Sequence, residues 1–301
     1  MRSRPLGRVL FVPAALAAIL IADTTPAAVA QGGSQERTLF VSAVDKKGVP
    51  VEGLGPDAFV VRENGVRREI LRVSRATEPI DLTVMIDNSA AATEEVTYYR
   101  TALPKFLAEL APANSIALVG LADRPTILVP STTDVKRLTT RAEGLFAMPG
   151  SGMTLLDAMV EVSDGLRKRD STRAAIVAIA TDGVEFSDRF ANEVIDALKK
   201  ARVAVHLVTI GTFTEDQQQS LRERAFFITR APRATGGQHL SMVAPNALGM
   251  NLERVARELN SQYKVVYSRP DALIAPDSIE IAPVREDLIM RGTPERSQKG
   301  A

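Results

Sequence analysis

The chain has 301 residues, enough for one large domain or for a domain with a smaller module beside it. Its apolar share of 45% and charged share of 24% are ordinary for a soluble globular protein, and a formal net charge of +1 gives no reason to expect a nucleic-acid partner. The absence of cysteine excludes disulfides, thiolate metal sites, a cysteine nucleophile and lipid attachment through an N-terminal cysteine, and only His206 and His239 offer imidazole chemistry.

Arg2, Arg4 and Arg8 form a basic start, Val9 to Ala22 is an apolar stretch interrupted by Pro13, and Ala28-Val29-Ala30 is a small-x-small cleavage site. This is the pattern of a secretory signal peptide over residues 1–30, with an apolar run short for a bilayer span. The alternative is an uncleaved anchor. Cleavage takes away three Arg and one Asp, leaving a mature net charge of −1. The expected location is therefore outside the cytoplasm, periplasmic or extracellular, with no membrane span in the mature chain.

Residues 31–79 read as a small β-rich module. Thr38 to Val44 has strand composition, Asp45 to Gly48 is a turn, and Phe59 to Glu63 is a second strand closed by Asn64-Gly65, a strong hairpin signal. Val66 to Val73 reads as a third strand. Such a unit is marginal alone. Two short strand candidates in the tail, residues 269–301, are Ser278 to Ile281 and Asp287 to Met290, and both ends of the chain are expected to share one sheet.

Between residues 80 and 268 the pattern alternates. Leu82 to Ile86 is an apolar strand, and Val96, Tyr99, Leu103, Phe106, Leu107 and Leu110 fall at helical spacing, with Pro104 expected to kink that helix or mark its start. Ile116 to Leu121 and Thr126 to Val129 read as a strand pair, and Thr133-Asp134 as the cap of a helix to Leu145. Leu155, Met159, Val162 and Leu166 mark the next helix. Ile176 to Ala180 is wholly apolar, as expected for a strand covered on both faces. A helix from Ser187 to Lys200, a strand from Ala204 to Ile210, a helix near Glu215 to Arg224, a short strand at Gln238 to Met242, a helix through Leu248, Leu252, Val255 and Leu259, and a strand at Tyr263 to Tyr267 complete the run. The expected class is α/β: a doubly wound, mostly parallel sheet flanked by helices, Rossmann-like, with the β-rich module beside it.

In such a sheet, ligands bind at the carboxyl ends of the strands. Three polar segments fall there: Asp87-Asn88-Ser89, Gly150 to Thr154, and Thr181-Asp182-Gly183. Asp87, Ser89, Thr154 and Asp182 are hard oxygen donors, and gathered at one rim they would suit a small divalent cation. Each has a plainer reading alone: Asp87 as a turn or cap residue, Thr154 as a helix N-cap paired with Asp157, Asp182-Gly183 as a turn. His206 reads as a satisfied core histidine, His239 as a loop residue, Glu94-Glu95 and Asp188 as solvated helix starts with a place near the rim as the alternative, and Arg167 to Arg173 as a water-facing basic cluster.

Taken together, Asp87-Asn88-Ser89, Gly152-Met153-Thr154-Leu155-Leu156-Asp157-Ala158 and Thr181-Asp182-Gly183 resemble, in order and separation, the three metal-site loops of the von Willebrand factor type A domain, over roughly residues 80–268. The stretch Val44 to Leu54 and the closing Gln262 to Tyr267 make the whole mature chain look like an exported bacterial variety of that family. The resemblance implies a metal-ion-dependent adhesion site with Asp87, Ser89, Thr154 and Asp182 as metal ligands. The cation implied is Mg²⁺, with Mn²⁺ or Ca²⁺ as alternatives. Where the family has a further serine in the first loop, this chain has Ala91. Water could take that ligand's place at reduced affinity. The implied function is reversible binding of another protein through one of its acidic residues. A scaffold with a vestigial metal site is the alternative. A metal-assisted hydrolase is a poorer fit, because no G-x-S-x-G, H-E-x-x-H or P-loop pattern is present; the chain is therefore not expected to be an enzyme.

Overall fold

Residues 33–169, 171–212, 218–271 and 273–296, together with Met1, are described by the computed structural model. The signal segment of residues 1–30 lies outside the described residues apart from Met1, as do residue 215, where a helix is expected to begin, and the last five residues of the tail. Among the described residues no helix is long and apolar enough to cross a membrane.

The N-terminal part supplies four strands: β1 (Ser34–Asp45), β2 (Phe59–Glu63), β3 (Val66–Arg68) and β4 (Ile70–Arg75). Asn64 and Gly65 join β2 to β3 with φ of 47° and 78°, the doubly left-handed geometry that a two-residue hairpin turn requires. The single strand expected over Val66 to Val73 is in fact two, because the chain changes sheets at Glu69: β3 pairs with β2, and β4 joins another sheet.

The α/β part begins with β5 (Ile80–Ile86) and α1 (Val96–Leu110), which continues through Pro104. It goes on with β6 (Ser115–Gly120), β7 (Thr126–Thr132), α2 (Val135–Glu143) and α3 (Leu155–Arg167). Asp134 caps α2, its side chain accepting from the Arg137 amide. Next come β8 (Arg173–Thr181), α4 (Ala191–Ala201), β9 (Val203–Ile210), α5 (Gln219–Thr235), β10 (His239–Met242) and α6 (Leu248–Asn260). The six strands form one sheet in the order β10-β9-β8-β5-β6-β7, parallel throughout except for the β6–β7 pair. Every residue of β5, β8 and β9 is buried, as in a sheet with both faces covered. The alternation along β5 sorts the layers. Leu82, Val84 and Ile86 pack with α1, α2 and α6, whereas Met85 packs with α3, α4 and α5. Fully buried Tyr99, Leu103 and Leu107 anchor α1 on its side, each leucine contributing roughly 1.5–3 kcal/mol.

Three further strands follow: β11 (Tyr263–Pro270), β12 (Ile279–Pro283) and β13 (Leu288–Pro294). They complete the N-terminal strands as two small sheets, β13-β1-β11-β4 and β12-β2-β3. The strand read from sequence as the last of the α/β run, β11, therefore lies between β1 and β4. There it gains eight antiparallel residue pairs with β1, a longer ladder than the four-residue β10 could offer at the main sheet's edge. Leu39, Val41, Phe59, Val61, Tyr263, Val265, Leu288 and Met290 fill the core between the two small sheets. Buried Glu63 is paired with Arg68 at 3.0 Å and Arg269 at 3.2 Å and accepts the Tyr267 hydroxyl at 2.8 Å.

His206 departs from expectation. It is completely buried in β9, but neither ring nitrogen has a hydrogen-bond partner, and burial pushes its pKa down to about 4. Because the unfolded chain protonates this ring at a higher pH than the folded chain does, the folded state gains nothing from His206 above pH ~6.5 and loses stability as pH falls from there towards 4. Urea melts at pH 7.5 and pH 5 should therefore show the wild type losing on the order of 2 kcal/mol more than His206→Leu. Equal losses in the two proteins would refute this account.

Candidate metal centre

At the end of β5 the chain leaves the sheet between β6 and β8, and the first loop is held by groups it carries itself. Asp87 is fully buried. Its Oδ1 accepts from the Ser89 amide at 2.9 Å, and its Oδ2 accepts from the Thr181 amide at 3.1 Å and the Thr181 hydroxyl at 2.5 Å. Asn88 turns the other way. Its Oδ1 accepts from the amides of Leu121 (3.0 Å) and Ala122 (3.2 Å), and its carbonyl accepts from Met148 N–H at 2.8 Å. Gly120 permits this approach, since a Cβ there would stand 2.8 Å from Asn88 Oδ1. Ser89 is 1% exposed, and its hydroxyl has no hydrogen-bond partner.

The second loop turns at Gly150, with φ of 75°, and is tied down by mutual bonds between Gly152 and Asp123. Thr154 precedes α3 but does not cap it. Its hydroxyl donates instead to the Leu121 carbonyl at 2.9 Å, which leaves the oxygen lone pairs free to face a ligand. The amide of Asp157 is satisfied from the third loop, by Ser187 Oγ at 3.0 Å, and Asp157 itself pairs with Arg189.

In the third loop Asp182 is exposed, with Oδ2 accepting from the Thr212 amide at 3.0 Å. Gly183 abuts the first loop: a Cβ on it would lie 2.3 Å from the Cβ of Ala91. The methyl of Ala91 thus occupies the junction between the first and third loops. Behind them Arg224 donates to the carbonyls of Gly183 and Asp182. Glu185 is buried beneath the rim; desolvation raises its carboxyl to about 7 against the pull of the Ser187 hydroxyl and Arg224.

The four residues singled out from sequence therefore lie on three loops joined by hydrogen bonds at the carboxyl ends of the strands. The structure adds Glu95, whose carboxyl is pushed up by burial and by the nearby charges of Glu94, Asp182 and Asp87, and Tyr99, raised well above its usual value by burial, Asp87 and Glu95. One oxygen of Glu95 and the Tyr99 hydroxyl are buried without partners. Helical periodicity places both residues at the start of α1; for Glu95 the structure favours the place near the rim, which the sequence offers only as the alternative to a solvated helix start. Among the described residues no three His, Cys, Asp or Glu side chains group as a metal site, so any cation here depends on hydroxyls as well as carboxylates. The donor set fits a hard divalent cation. Asp87 and Asp182 supply charge, Thr154 presents lone pairs, and Ser89 holds a buried oxygen without a hydrogen-bond partner among the described residues.

Residues 82–185 match the family model of the von Willebrand factor type A domain. Comparison with curated proteins finds no match. Among solved structures the chain is similar to a von Willebrand factor type A protein from Catenulispora acidiphila, at 11% identity and a TM-score of 0.49, covering 88% of this chain and 74% of that one. It is also similar to the conserved hypothetical protein BatB from Bacteroides thetaiotaomicron (12% identity, TM-score 0.46, 60% of this chain and 100% of that one). A third is the vWF domain of the type V pili tip protein Mfa5 from Porphyromonas gingivalis (11%, 0.46, 62% and 96%).

The two carboxylates should separate in a metal-free stability measurement. Asp87→Ala leaves the Thr181 amide and hydroxyl and the Ser89 amide buried and unpaired, an expected cost of about 2–4 kcal/mol. Asp182→Ala, at an exposed position, should cost under about 1 kcal/mol. Urea denaturation in EDTA checks both, and equal costs would contradict the role given to Asp87.

Proposed function

We propose that this chain, whose residues 82–185 match the family model of the von Willebrand factor type A domain, a fold that commonly mediates protein interaction, is an exported protein-binding module. Its rim binds a divalent cation, Mg²⁺ or the similar Mn²⁺ or Ca²⁺, through Asp87, Ser89, Thr154 and Asp182. The observation that carries the reading is the buried, unpartnered hydroxyl of Ser89 beside Asp87. A desolvated hydroxyl without a partner is costly, and coordination would remove that cost.

In this reading Asp87 provides a charge held in place by Thr181 and the Ser89 amide. Asp182 provides a second charge from an exposed carboxylate. Ser89 and Thr154 contribute neutral oxygens. Bound there, the cation would supply an electrophilic position for a carboxylate of the partner. The surface beside the rim suits a protein contact: Met148, Val184 and Phe186 are exposed on the second and third loops, and the Phe186 ring lies over Gly152. Export rests on the basic, apolar and small-x-small pattern of residues 1–30.

We assign the rim to binding and not to bond cleavage. Glu185, the carboxyl raised to about 7, is 2% exposed and sits under the loops where no substrate reaches it. A second reading, a scaffold with a vestigial site, is favoured by one observation. Asp87 already holds three protein donors, so the first and third loops are tied together without metal.

Calorimetry with Mg²⁺ and Mn²⁺ tests the proposal. Binding in the micromolar to low-millimolar range is expected, lost in Asp182→Ala and tightened several-fold in Ala91→Ser, where a hydroxyl is restored to the first loop. Absence of binding in both the wild type and Ala91→Ser would leave the scaffold reading.

A further inference from the structure

On the opposite edge of the sheet from the rim, where β9 begins, a cleft of about 930 Å³ opens between the ends of α4 and α5, the residues 275–279 and the end of β13. β9 has eight residues, so the two sites are roughly 25 Å apart. Lys199 and Lys200 line the cleft from α4, Arg230 and Arg233 from α5, and Arg202 from the turn into β9. Asp277 is the one acidic residue of its lining among the described residues. Lys199, Lys200, Arg230 and Arg233 are exposed, and among the described residues none of the four makes an ion pair. Arg230 instead lies 4.6 Å from the ring centroid of Phe226. Arg202 is already engaged, donating to the Glu295 carbonyl at 2.5 Å. Leu198 and Val203, both buried, give the cleft an apolar floor.

Cations in the last turn of a helix offset the negative end of its dipole, and that accounts for Lys199, Lys200 and Arg233 as positions. It does not account for Arg230, about one turn earlier, or for an apolar trough left open among five cations. The charges are also strung along two helices instead of converging on one point, and no buried donor defines a pocket for a compact anion. That distribution suits negative charges spaced along an extended chain whose apolar side chains rest on the floor.

We propose that this cleft binds an acidic, partly apolar peptide segment of a partner protein, independently of the rim and of any metal. The probe is a fluorescein-labelled peptide of alternating Glu and Leu, titrated with the full chain at low ionic strength in EDTA and followed by anisotropy. Saturable binding is expected, weakening as salt is added. It should weaken at least about tenfold in the double variant Arg230→Glu/Arg233→Glu and stay unchanged in Arg67→Glu, a charge reversal on exposed β3, and in Asp182→Ala at the rim. Lys199→Ala/Lys200→Ala should give a smaller loss, and circular dichroism confirms that each variant folds. No saturable binding, equal binding by the Arg230→Glu/Arg233→Glu protein, or a preference for a DNA duplex over the peptide overturns the proposal. Because EDTA is present throughout, none of these outcomes bears on the metal reading of the rim.

Discussion

Asp87 reaches sideways from the end of β5 to the end of β8, where its Oδ2 accepts from the amide and hydroxyl of Thr181 while its Oδ1 holds the amide of Ser89. The two strands run parallel and in register up to that point, and beyond it their chains must diverge into separate loops. A buried carboxylate satisfied by three donors keeps the loops together after the ladder has ended. Charge-assisted bonds of this kind are the stronger class of hydrogen bond. The placement of Ser89 beside Asp87, and of Asp182 one residue beyond Thr181, follows from that tie.

Asn88 does the same work in the other direction, towards β6 and the second loop. Two successive side chains of one loop thus anchor opposite neighbours, one by charge and one by an amide oxygen. The middle residue of the Asp-x-Ser pattern is a brace, and its short polar side chain is what lets Leu121 and Ala122 reach it over the bare backbone of Gly120. The rim consequently has a rigid inner layer. Its outer parts, Asp182 and the apolar side chains of Val184 and Phe186, stand exposed on it.

What the sequence makes legible is what depends on neighbours along the chain. The buried strand β5, the apolar run Ile176 to Ala180 in β8, the Asn64-Gly65 turn and the Asp134 cap are all local, and each appears in the structure near its expected place. The candidate donors are legible for the same reason, since each follows or precedes a strand or helix that periodicity identifies. What escapes is set by partners distant in sequence. The Thr154 hydroxyl bonds to Leu121 and the α3 amide of Asp157 to Ser187, so the N-cap expected of Thr154 is taken over from another loop. Glu95 lies near the charges of Asp87 and Asp182, a proximity that neighbours along the chain do not fix. The split of Val66 to Val73 and the removal of β11 to another sheet depend on which edges are free, and composition does not encode that. The bare imidazole of His206 shows the same gap from the energetic side: periodicity predicts burial but not whether a partner will be there.

The order β13-β1-β11-β4 places strands from the two ends of the described chain alternately in one sheet, with Ser34 beside Pro270 and Asp45 beside Leu288. Among the described strands, β1 therefore pairs only with β11 and β13, which follow it at a great distance along the chain. Closing so long a loop is slow, and every pairing of β1 carries that delay. The α/β layers between can assemble on their own contacts, whereas the sandwich closes last. Such an arrangement leaves the edges of β1 open and couples their closure to the arrival of β11 and β13.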